Sequence, residues 1–274
     1  MKNPFAAVLA VATALALAFL ILPVVAIFVD IPPGRLLDGM NDPAAVDALV
    51  VTLKTTLLAN VLILVLGTPA AYLIATHAFR GKALLVTAVE LPLVLPPAVA
   101  GIGLLAAFGR FGLLGGALDL VGLEVPFTQL AVVLAVSFVA SPFYLRAAIA
   151  AFEAVDPALT GAARTLGAGP ARTFFRVALP LASGGLGAGW ALAFARGIGE
   201  FGATIMFAGS LQGVTQTLSL AVYEQFDVDF DVALSIGAEL VVVSAFLLLA
   251  VKLVPTWTRS NSTSTTLFAP SGSR

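Results

Sequence analysis

Residues 3–29 contain no charged side chain, and that run limits what the chain can fold into more than any other feature. A helix needs about 20 apolar residues to cross the hydrocarbon core of a bilayer. This run is longer than the apolar core of a secretory signal, and no convincing small-x-small cleavage site precedes Asp30. The reading is a retained first spanning helix, with cleavage near Ala26 as the alternative. Composition extends the argument to the rest of the chain: 60% of the 274 residues are hydrophobic, 11% are charged and the mean hydropathy is +1.06. A soluble core could not use that much apolar surface, so the chain reads as an integral membrane protein.

Five further apolar stretches are expected to span, at about 52–78, 83–108, 127–149, 180–208 and 232–254. The fold class expected is therefore all-α, with six transmembrane helices. Between spans, Pro32, Pro33, Gly34, Asn41 and Pro43 read as turn-makers in a polar connection over 30–47. The third span holds Pro92, Pro96 and Pro97, which remove backbone donors and bend the helix; lipid tolerates such a break only where protein or water lines it. In the fifth span, Gly184, Gly185, Gly187 and Gly189 permit close helix approach. The Ser/Thr-rich tail from Ser260 has too little apolar surface to fold alone. The expected division is 1–48 as first helix and outer loop, 49–255 as the transmembrane domain and 256–274 as a disordered tail.

Basic residues set the sidedness. With six spans, Lys2, Arg80, Lys82, Arg146, Arg164, Arg172, Arg176, Lys252, Arg259 and Arg274 fall on one side, and only Arg35 and Arg110 on the other. The basic side is the cytosol, so both termini and the segment 156–180 are expected there, in a multi-pass protein of the plasma or inner membrane. A net charge of −1 excludes a generally basic nucleic-acid binder. With no cysteine, neither disulfides nor thiolate metal sites are available.

Segment 156–180 is too polar for lipid and too patterned for a slack loop. Asp156 is a natural N-cap with Pro157 at the first helical position, Gly167 can take a left-handed conformation, and Pro170 can begin a second helix. Two short helices meeting at a glycine corner are expected. The order Ala162-Ala163, three residues, Gly167, nine residues and Val177-Ala178-Leu179-Pro180 resembles the EAA loop of ABC-importer permease subunits, with Gly161 where that motif begins with Glu. The resemblance implies a type I importer fold and a coupling helix that docks on a separate ATPase, with Gly161, Ala162, Ala163, Arg164, Leu166, Gly167, Ala168 and Pro170 at the contact.

Few residues suggest chemistry. Arg196 and Glu200, four apart, are expected to share a helix face inside the membrane, either as an internal packing pair or as part of a polar pathway near an outer gate. Glu90 is either a polar residue at a helix end or part of that route. Gly197-Ile198-Gly199-Glu200-Phe201-Gly202 matches a dinucleotide fingerprint in letters only, because no strand precedes it. The chain has no Walker A loop, no metal cluster and no paired nucleophile and base, so it is not expected to be an enzyme. A secondary transporter using Glu90, Glu200 and Glu239 is the rival class.

Within the importer permeases, three segments look like the molybdate branch: 91–97, 195–209 and 215–223; the second is also similar in sulfate permeases. The resemblance implies a permease for a tetrahedral oxyanion, most closely molybdate or tungstate, with sulfate or thiosulfate as the alternative. It implies a second copy of the chain, two cytosolic ABC ATPase subunits carrying ATP and Mg, an extracytoplasmic oxyanion-binding protein, and no cofactor on this chain. Arg196, Glu200, Phe201, Thr204, Pro96 and Pro97 are the residues expected along the pathway or its gate.

Overall fold

In the computed structural model, residues 4–259 are described, and they are helical with no strand. Helix α1 (Pro4–Val29) is followed by α2 (Pro33–Met40), α3 (Pro43–Thr76), α4 (Lys82–Val94), α5 (Pro97–Phe108), α6 (Gly115–Leu120) and α7 (Gln129–Glu153). Then come α8 (Pro157–Thr165), α9 (Pro170–Thr173), a π-helical turn (Phe174–Ala178), α10 (Leu179–Ile198), α11 (Gly202–Ala208), α12 (Leu218–Phe226) and α13 (Phe230–Arg259). Five helical segments are long and apolar enough to cross a membrane, and the pair α4 and α5 makes a sixth if the two count as one span. That pair bends by 116°. Pro96 and Pro97 have no N–H to offer the carbonyls of Pro92 and Leu93, so the helix cannot continue, and Leu95 and Pro96 adopt extended backbone. The tail from Ser260 lies outside the described residues.

The chain divides into two compact units. The first joins residues 1–52 to 210–243. Its core is Ala45, Ala48, Leu218, Ala221 and Ile236. Thr52 Oγ1 donates to the carbonyl of Ala48 (2.7 Å) and accepts the Leu218 N–H (2.8 Å), tying α12 to α3. Arg35 and Asp231 form an exposed ion pair at 2.6 Å. Two expectations are corrected here. The connection 30–47 is largely helical, because Pro33 and Pro43 sit at first-turn positions and Asp42 Oδ1 accepts the Ala44 N–H, starting α3 nine residues before the expected Thr52. The stretch between the expected fifth and sixth spans, where no helix is expected, likewise holds α12.

The second unit joins residues 53–209 to the described residues from Ser244 onward. Its centre is α7 packed along α10 with α4, α5 and α11 alongside, and its two apolar cores contain Val132, Val136 and Phe207 in one, and Tyr144, Ile149 and Phe152 in the other. Of the four glycines expected to permit close approach, Gly185 and Gly189 press α10 on α7, where a Cβ would lie 2.5 Å from the Ala151 Cβ and 2.7 Å from the Ala147 Cβ, while Gly184 and Gly187 have no neighbouring atom within 4 Å of such a Cβ. Two ion pairs strap α4 to α7, Lys82 Nζ to Glu153 Oε1 (3.1 Å) and Arg146 Nε to Glu90 Oε1 (3.0 Å).

Candidate functional site

The knuckle 156–180 is built by its own local chemistry. Asp156 Oδ1 accepts the Ala158 N–H at 2.8 Å, and Pro157 occupies the first turn of α8. The helix ends in a Schellman arrangement: the Ala168 N–H reaches the Ala163 carbonyl and the Gly167 N–H reaches that of Arg164, both at 3.0 Å, with Gly167 at φ +85°. No side chain of α8 is buried within its own chain, and Leu166 at the corner is 88% exposed. Gly161, Ala162, Arg164, Gly167 and Pro170 are exposed, and Ala163 and Ala168 partly so. The base of the knuckle is held by aromatic rings, with Phe174 4.8 Å and Phe152 5.2 Å from Tyr72.

The expected second short helix is not separate. From Pro170 the chain stays helical through the π-turn into α10, a run of 29 residues to Ile198. Pro180 supplies no N–H to the carbonyl of Arg176, and the turn before it widens to accommodate the loss. The helix of the fifth span therefore starts ten residues before the expected Pro180, directly after the Gly167 corner region.

Arg196 and Glu200 meet as expected, but the geometry differs from a shared helix face. The span expected to run unbroken to Ala208 stops at Ile198, and Glu200 lies in the break before α11. Its Oε2 is 2.7 Å from Arg196 Nη1, and its Oε1 accepts the Ala203 N–H at 2.8 Å, so one carboxylate holds the end of α10 and the start of α11 together. The Glu200 side chain is 1% exposed and that of Arg196 30%. Arg196 forms one wall of a cavity of about 110 Å³ whose other walls are Pro92, Leu93, Leu95, Pro97, Val139 and Phe143. The two chain breaks thus touch: Gly202 faces Pro97, and a Cβ at 202 would lie 2.7 Å from the Pro97 Cβ.

Of the six expected pathway residues, Arg196, Glu200 and Pro97 come together here. Pro96 makes the break without lining the cavity. Phe201 precedes α11, where its carbonyl accepts the Ile205 N–H, and Thr204 is buried with no partner for its hydroxyl among the described residues. Sequence reasoning missed the partner of Glu90, which is Arg146. The signal was available: Lys82 and Glu90 are eight apart, Arg146 and Glu153 seven, and the same basic-then-acidic order on both helices pairs opposite charges when the helices run antiparallel. Glu239 on α13 is buried and leaves Oε2 without a hydrogen-bond partner among the described residues. No group of three or more His, Asp or Glu residues suited to a metal ion occurs among the described residues.

With five or six helices long and apolar enough to cross a membrane among the described residues, the chain is a multi-pass membrane protein in class. Sequence comparison narrows it. Residues 63–259 match the family described as binding-protein-dependent transport system inner membrane component, and the chain belongs to that family. The molybdenum transport system permease protein ModB of Mycobacterium bovis is 42% identical over 235 residues, covering 86% of this chain and 89% of the relative. The probable sulfate transport system permease protein cysT of Chlorokybus atmophyticus is 32% identical over 239 residues, covering 86% and 84%. In fold, the chain is similar to a bacterial ABC transporter involved in the import of the acidic polysaccharide alginate, with a TM-score of 0.73 at 16% identity over 91% of this chain and 94% of that one.

Proposed function

We propose that this chain is the membrane-spanning permease subunit of an ATP-driven importer that moves a tetrahedral oxyanion, molybdate or the like-shaped tungstate, into the cytoplasm by alternating access. The carrying observation is the knuckle. Its first helix, α8, is closed by its own caps and buries no residue against its own chain, and past the Gly167 corner a second helical run extends from Pro170 to Ile198, up to the break beside Arg196. A rigid lever of that kind needs a partner to push on it. The cytosolic ABC ATPase is that partner, contacting 161–168 and Pro170 and carrying the ATP and Mg; this chain holds no cofactor of its own.

Two copies of the chain, two ATPase subunits and an extracytoplasmic oxyanion-binding protein form the working assembly. Both termini and the knuckle lie in the cytosol, as the distribution of basic residues favours. Arg196, Glu200, Phe201, Thr204, Pro96 and Pro97 line the pathway or its gate, because lipid would not tolerate their broken backbone and buried charge unless protein or water surrounded them.

The relatives named for molybdenum transport favour molybdate, and the sulfate relative keeps sulfate as the second reading. Reconstituted with its ATPase and binding protein, the chain should take up radiolabelled molybdate only with ATP, and excess tungstate should compete better than sulfate. Uptake that continues without any ATPase subunit would refute this reading in favour of an ion-coupled transporter.

A further inference from the structure

The Arg196–Glu200 pair is lopsided. Glu200 is held by an ion pair between Oε2 and the guanidinium, without hydrogen-bond geometry, and by the Ala203 N–H on Oε1, and its side chain is almost wholly buried. Arg196 keeps 30% of its side chain exposed and faces a small cavity whose other walls are apolar side chains together with backbone at the proline break. A guanidinium has five N–H donors, more than one carboxylate can occupy, and it binds planar pairs of oxygens wherever they are offered. In a small enclosed cavity an arginine without a counter-charge would hold a dianion too tightly to release it, and conduction requires weak sites.

We propose that Glu200 is a built-in rival anion. Its carboxylate occupies on Arg196 the seat that a transported oxyanion takes only in passing, and this competition keeps the permease from trapping its cargo. The proposal rests on the oxyanion-import reading and adds to it the residue that sets affinity within the membrane.

Glu200→Gln separates charge from structure. The amide has the carboxylate's shape, and its carbonyl oxygen can still accept the Ala203 N–H, so the start of α11 keeps its partner. Retention of radiolabelled molybdate is measured on the permease–ATPase complex in nanodiscs, without binding protein and without ATP. The expected result is at least tenfold tighter retention by E200Q than by wild type, resistant to excess chloride, with slower ATP-driven uptake. The double variant R196Q/E200Q leaves no unpaired charge and should return retention to the wild-type level. Equal retention by wild type and E200Q, or by E200Q and the double variant, would overturn the proposal. ATP-driven uptake by the wild-type complex reports on the import reading by itself, so the two can fail separately.

Discussion

Gly167 and Asp156 decide the knuckle residue by residue. At φ +85° a side chain meets open space but the backbone is strained, a cost on the order of 1–2 kcal/mol for most residues. Gly167→Glu adds bulk and charge at the corner. We predict normal membrane insertion and yield, with ATP hydrolysis no longer stimulated by the binding protein; unaffected transport would remove the coupling role from this corner. Asp156→Ala removes the cap of α8, worth about 1 kcal/mol, and should raise amide exchange across that helix roughly fivefold, whereas Asp156→Asn should hardly change it. Both residues were legible from sequence because capping is local chemistry. Glu200 was legible as a charge but not as a brace: its bond to the Ala203 N–H exists only because the helix breaks at Gly199, and no local rule forces that break.

Among the elements, the strap between α4 and α7 and the unbroken run from Pro170 to Ile198 do most to join the knuckle to the proline break. Lys82 and Glu153 are 32% and 49% exposed, so their pairing energy should stay below about 1 kcal/mol. In thermal unfolding of the detergent-solubilised protein, Lys82→Glu and Glu153→Lys should each destabilise, and the double exchange should recover most of the loss. Strictly additive losses would mean the pair does not interact. Hydrophobic runs located the spans because lipid imposes length and apolarity on them. Boundaries failed where prolines carry two meanings. Pro33 and Pro43 open helices instead of making loops, and Pro180 is absorbed by a π-turn instead of starting a span. The short helix α12 was not legible although Thr217 stands at its start, because nine residues carry too little periodicity to register.

For the whole molecule, the proposed function makes the knuckle a lever on the cytosolic side of the membrane that moves a gate at the proline break. Helix α1 leaves its side chains uncovered by the rest of the chain, in keeping with a lipid-facing first span. The six-span, all-helical class could be read from hydropathy, but the 116° turn between α4 and α5 could not, since prolines announce a break and not its angle. Sidedness gives the most direct test of the central claim. The chain has no cysteine, so Leu166→Cys, at the exposed corner of the knuckle, places a single thiol where a membrane-impermeant maleimide can report on it. The account predicts no labelling in intact cells, full labelling after permeabilisation, and protection when the ATPase subunit is added. Labelling from outside intact cells would contradict it.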